Sequence, residues 1–102
     1  MTASQTPVGR HPVVLTLTGD IDFFTEDEFR QQAETLLADP DVDRLVVDFG
    51  AVELVDSSGL GLLVDLLRLC RDMELPMTLR AVPEQVRRVL DLTGLDRLIA
   101  VE

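Results

Sequence analysis

"RLVVDFGAVELVDSSGLGLLVDLL", Arg44 to Leu67, contains the change of period that decides the fold. Leu45 to Phe49, "LVVDF", is nearly continuously apolar and rich in β-branched residues, the pattern of an interior strand covered on both faces. Gly50 to Val55 reads as a connection. From about Ser58 to Met73 the apolar residues recur at helical spacing. A buried strand that runs into a helix through a short serine- and glycine-bearing joint is the unit of an α/β chain.

The same alternation extends in both directions. Upstream, Val13 to Thr18, "VVLTLT", reads as a strand and "GDID", Gly19 to Asp22, as a turn. Thr25 and Glu28 have the spacing of a capping box, and Phe24 and Phe29 that of a hydrophobic staple. Phe29, Ala33, Leu36 and Leu37 then line one helical face, which "ADPD" at Ala38 to Asp41 ends. Downstream, "MTLRA" (Met77 to Ala81) alternates again. Pro83 favours a helix start, Val86, Val89 and Leu90 share a face, and Gly94 suits a helix C-terminus. "LIAV", Leu98 to Val101, closes the chain as a short strand. The expectation is one α/β domain over residues 12–102, after a polar tail over residues 1–11. Its sheet is mostly parallel, mixed, of about four to five strands, with helices packed on it.

Composition narrows the chemistry. The chain has 102 residues, of which 46% are hydrophobic, enough to build a core without disulfides or metal. Its 9 basic and 19 acidic residues give a net charge of -10, which repels phosphate backbones and anionic lipid, so neither nucleic acid nor membrane is an expected partner. All the basic residues are arginines, which excludes Schiff-base and P-loop lysine chemistry. Cys70 is the single cysteine and reads as a buried small hydrophobe. With no signal peptide or membrane span in the sequence, a reducing, cytoplasmic setting is expected.

"DSSGLG", Asp56 to Gly61, admits four readings. An esterase elbow needs Gly-x-Ser-x-Gly and a base; Val55 stands where the first glycine belongs, and the only histidine, His11, falls in the expected tail. A phosphate cradle is weak, because neither glycine-rich nucleotide motif is present and Glu53 and Asp56 repel a nucleotide. Helix capping by Asp56, Ser57 or Ser58 fits well. Modification fits too: a phosphoserine adds roughly 1.5 to 2 negative charges at a helix N-terminus, where negative charge is tolerated. A partner that buries this surface would have to desolvate the dianion.

The helix behind the motif divides into stripes. Leu60, Leu63, Val64 and Leu67 form one apolar face, and Gly61, Asp65, Arg68 and Asp72 a polar one. Leu62, Leu66, Leu69 and Met73 form a second apolar stripe headed by Ser58. Two readings of that stripe stand side by side: more core under the adjacent helices, or an exposed docking patch.

Three segments carry a family resemblance: "LTGDIDFFTEDEF", "VVDFGAVELVDSSGLGLLVDL" and "VRRVLDLTGLDRLI". Together they resemble STAS-domain anti-sigma factor antagonists of bacteria. The resemblance implies a non-enzymatic partner switch. The unphosphorylated antagonist binds an anti-sigma factor that is also a serine kinase, and so frees a sigma factor. Phosphorylation releases it, and a PP2C-type phosphatase resets it. ATP and Mg would belong to the kinase, with no cofactor in this chain. The resemblance maps the phosphoacceptor to Ser57, with Asp56, Ser58 and Gly59 supporting the loop. Asp22, Leu62, Leu66 and Leu69 are the implied partner contacts, Asp22 having a plain turn role as its alternative. Asp20 stands where the family has glutamate, and members commonly continue into a C-terminal helix beyond the point where this chain stops, at Glu102. The alternative function is a STAS subunit that never cycles through phosphorylation, in a signalling or lipid-transport complex.

Overall fold

The computed structural model describes residues 9–102. Four strands and three α-helices alternate: β1 (His11–Ile21), α1 (Glu26–Leu37), β2 (Val42–Val55), α2 (Ser57–Asp72), β3 (Met77–Arg80), α3 (Glu84–Thr93) and β4 (Ala100–Val101), with a 3-10 turn at Leu95–Arg97 before the last strand. The sheet order is β1-β2-β3-β4 and every pairing is parallel among the described residues. Sequential parallel strands joined by right-handed crossovers carry all their helices on one face.

The strand pattern shows that asymmetry. Leu15 and Leu17 of β1, Leu45, Val47 and Phe49 of β2, and Met77 and Leu79 of β3 are buried in one cluster with the helices. On the other face Val14, Thr16, Thr18 and Arg80 are exposed and Asp48 is half-buried, while Val46 and Thr78 are buried mid-sheet. The apolar run of β2 is thus interior, though its second face is only partly covered. Arg80 crosses to Asp48 at 2.9 Å there. The backbone N–H of Gly50, and then the Arg80 guanidinium, hold the Asp48 carboxyl below its ordinary pKa.

Two strands outrun their sequence pattern. β1 starts at His11, one residue before the expected domain boundary, and ends at Ile21 rather than Thr18; residues 1–8 of the expected tail lie outside the described residues. β2 continues through Gly50 to Val55, the stretch expected to be a connection. β2 pairs with β3 only over Leu45 to Asp48, but with β1 as far as Val55. Beyond Asp48 the sheet therefore narrows to a two-stranded ribbon, with register shifts at Thr16/Thr18 and Gly19/Asp20. β4, by contrast, is shorter than the expected Leu98 to Val101, because Leu98 and Ile99 donate their N–H groups back to the Leu95 carbonyl at the end of the 3-10 turn.

Helix starts also depart from expectation. Thr25 precedes α1 but makes no capping bond from its side chain. Its hydroxyl instead accepts the Asp22 N–H at 3.0 Å and donates to the Asp20 carbonyl at 2.8 Å, and no capping box forms. Phe24 is 89% exposed, so it does not staple onto Phe29. Pro83 and Gly94 bracket α3 as expected, Gly94 in the left-handed region at φ 78.

Candidate functional site

The site lies at the C-terminal ends of β1 and β2, on the tip of the ribbon. Asp56 is the N-cap of α2: its Oδ1 accepts the backbone N–H of Ser58 at 2.8 Å and of Gly59 at 3.3 Å. Its carbonyl starts the helical ladder by accepting from Gly59 and Leu60, and its own N–H donates to the Ile21 carbonyl at 3.2 Å. That last bond ties the serine loop to the end of β1. Ser57 is the first helical residue and is exposed; Ser58 is half-buried and Gly59 buried. Of the four readings of this loop, capping is now a geometric fact, and the residue responsible is Asp56.

Gly59 is required by contact. A Cβ there would stand 2.5 Å from Val55 Cγ1, 3.0 Å from Ile21 Cγ2 and 3.1 Å from the Ile21 carbonyl oxygen. The missing side chain lets α2 begin directly against the ends of both strands. Gly61 has no such role, since nothing lies within 4 Å of a Cβ there.

Asp22 follows Ile21 and so lies beside the serine loop. Its Oδ1 accepts the N–H of Phe24 at 2.9 Å and of Thr25 at 3.1 Å. Its carbonyl accepts from Thr25 and Glu26, and its N–H donates to Thr25 Oγ1 at 3.0 Å. The side chain is thus engaged in shaping the turn that enters α1. Arg30 joins that helix to α2, with Nη2 2.7 Å from Asp65 and Nη1 2.6 Å from Asp27. Burial works to lower the Arg30 pKa, but the hydrogen bond and charge of Asp65, and then Glu26 and Asp27, outweigh it and raise it.

The expected leucine docking stripe is corrected. Leu62 and Leu66 are both 0% exposed, and Leu69 is half-buried against the core. The buried face of α2 is Gly59, Leu62, Leu63, Leu66, Leu67 and Cys70, an arc of about 140° at 100° per residue. It straddles the two stripes seen in the sequence, because α2 packs against α1 and β2 within one core cluster that also holds Val86 and Leu90 of α3. Leu60 and Val64, assigned to the core face, are only half-buried. Cys70 is fully buried, and burial pushes its thiol up to about 11.

The apolar groups that do reach solvent near Ser57 are others. Phe23 and Phe24, in the turn before α1, are 69% and 89% exposed. Leu54 is also exposed and, with Val55, Leu60, Val86 and Val89, lines a shallow groove of about 250 Å³ between α2 and α3. Two adjacent aromatics in an acid-rich turn fit no core periodicity, and that was the available signal.

A serine triad is incompatible with this geometry. His11, the single histidine, opens β1, and the Ser57 loop meets the other end of that strand. At ~3.3 Å per residue the two are separated by roughly 30 Å. Among the described residues no group of His, Cys, Asp and Glu is arranged to hold a metal ion, and no helix is long and apolar enough to cross a membrane.

The chain matches the family described as "Mlab, STAS domain" over residues 4–100. It belongs to the STAS domain family. This STAS chain is 26% identical over 92 residues to an anti-sigma F factor antagonist of Paenibacillus polymyxa, covering 90% of this chain and 79% of that one. It superposes on the crystal structure of an anti-sigma factor antagonist from Mycobacterium paratuberculosis with a TM-score of 0.72 and 29% identity, over 88% of this chain and 75% of the other. The Bacillus cell fate determinant SpoIIAA, in its phosphorylated form, shares the fold: TM-score 0.72, 24% identity, 93% and 86% coverage. The α/β single domain with a parallel sheet is thus the STAS fold.

Proposed function

We propose that this STAS protein is an anti-sigma factor antagonist whose binding is switched at Ser57. The observation that carries the reading is Ser57 itself: an exposed serine at the first position of a helix whose start is fixed by its neighbours on both sides. Asp56 caps the helix, Gly59 seats it and Ile21 anchors the loop, so the hydroxyl is presented by a rigid frame. The similarity to antagonists of other bacteria supplies the class of partner, an anti-sigma factor.

In the transfer step the Ser57 Oγ attacks the γ-phosphorus of ATP held by the partner kinase. The new O–P bond replaces the bond to ADP, and the hydroxyl proton passes to a base of the kinase. The added charge is ~1.5 to 2 units. The helix N-terminus favours it by about 0.3 to 1 kcal/mol, while the adjacent Asp56 carboxylate opposes it. The two effects offset, so the fold is expected to survive and the altered quantity is partner affinity. A PP2C-type phosphatase completes the cycle. In this reading the chain is a binding protein and substrate, not an enzyme, and acts in the cytoplasm.

The test uses the purified anti-sigma factors encoded by the source organism. One of them is expected to bind the wild type and Ser57→Ala alike, to bind Ser57→Asp weakly, and to phosphorylate the wild type alone. Equal affinity of the alanine and aspartate variants for that partner sinks the reading. Mass analysis of the protein from its native cell tests the site directly: phosphoserine at Ser57 supports the switch. Its absence under all growth conditions favours a STAS subunit that never cycles.

A further inference from the structure

The Ser57 loop can carry a switch, but its polar, backbone-bonded surface offers little to hold a partner in the first place. We propose that Phe23 and Phe24 form an aromatic anchor for that partner, and that they enter an apolar pocket rimmed by arginine or lysine. The inference rests on the reading of the Ser57 end as the partner face.

Neither ring belongs to the core cluster. They meet edge to face, with centroids 5.7 Å apart at 89°. At 69% and 89% exposure they present on the order of 300 Å² of aromatic surface, the size at which an exposed apolar patch on a small protein marks an interaction site. The turn beneath them is set before binding. Asp22 Oδ1 holds the Phe24 and Thr25 amides, and the Thr25 hydroxyl holds the Asp20 carbonyl. A preorganised aromatic pair loses little freedom on docking. The serine loop is joined to the same turn through the Asp56 N–H and the Ile21 carbonyl, which places the rings and Ser57 at the same end of the sheet.

Charge identifies the occupant. Asp20, Asp22, Glu26, Asp27, Glu28 and Asp56 surround the turn in sequence and fold. The neighbouring cation, Arg30, is already engaged by Asp27 and Asp65. A second copy of this chain would bring two such acidic turns together at a net charge of -10 each. A partner whose apolar pocket has a basic rim is complementary on both counts.

The closing experiment measures Kd for the anti-sigma factor that binds the wild-type chain, by titration calorimetry. Phe23→Ala/Phe24→Ala is expected to raise Kd at least ~30-fold, the scale of an interface hot spot, and Phe23→Leu/Phe24→Leu to recover most of it. The urea midpoint should stay near wild type, since both rings are solvent-exposed. Raising salt should slow association of the wild type and of the alanine variant alike. If Ser57→Asp weakens binding while the double alanine variant binds as wild type does, the anchor is overturned and the switch stands. If the wild type sediments as a dimer that the double alanine variant abolishes, the occupant is a second copy and the basic-pocket partner is overturned. If no anti-sigma factor binds the wild type, both readings fall.

Discussion

Replacing Gly59 and Gly61 separately by alanine should have opposite effects, although the two glycines are two residues apart in the same helix. At Gly61 the added methyl meets nothing within 4 Å. The change removes glycine's backbone freedom from a helix interior and should stabilise the protein by about 0.5 to 1 kcal/mol. At Gly59 the same gain is overridden. The methyl would stand 2.5 Å from Val55 Cγ1 and 3.1 Å from the Ile21 carbonyl oxygen, which is backbone and cannot rotate away. Overpacking of this kind costs about 1 to 3 kcal/mol. If α2 shifts to relieve it, the bond from the Asp56 N–H to that carbonyl is lost, at about 1 kcal/mol. The net expectation for Gly59→Ala is a loss of about 2 kcal/mol, or roughly 8 to 16 °C in Tm for a domain of this size. Urea unfolding followed by circular dichroism gives both differences, provided the m-values agree. A Gly59→Ala protein as stable as Gly61→Ala would refute the close seating of α2 on the strand ends.

The helix cap at Asp56 and the ion pair at Asp48 are open to the same kind of test. Asp56→Ala leaves the Ser58 and Gly59 amides without their cap and should cost about 1 kcal/mol in urea unfolding, whereas Asp56→Asn keeps an acceptor and most of the stability. The Asp48 pKa is depressed in the folded chain by Gly50 and Arg80, so its stabilising contribution is present above the unfolded value and is lost as pH falls through the folded one. The Tm gap between wild type and Asp48→Asn should therefore hold near neutral pH and close below about pH 4; a gap that persists into acid contradicts the ion pair.

The order of elements was legible because each change of period is sharp: "LVVDF" has no helical face, and Pro83 and Gly94 punctuate α3 by backbone geometry alone. The length of β2 was not. "GAVELV" has Gly50 and Glu53 and no clear alternation, because that half of the strand pairs with β1 alone and covers little core. The face of α2 was misread for a different reason. Leu62 and Leu66 lie in a stripe that looks separate on a wheel, yet both are buried in the common core cluster, and what covers them is set by tertiary packing. The capping box failed at a single atom, the Thr25 hydroxyl oxygen, which accepts the Asp22 N–H and donates to the Asp20 carbonyl. For the site, Ser57 was visible as a motif, whereas the prominence of Phe23 and Phe24 needed the turn's geometry.

The narrowing of the sheet beyond Asp48 has a consequence for engineering. Four strands and the buried leucines keep the chain folded, while a two-stranded ribbon carries Phe23, Phe24, Glu53, Leu54 and Ser57. Exposed tip positions share few partners with Leu15, Leu45 or Val47, so changes in the two regions should add rather than couple. A library randomised at the tip can thus explore recognition at nearly constant stability, with Ile21, Val55 and Gly59 left untouched as the hinge pin. One body could in this way be retuned into several adaptors that ignore one another's partners.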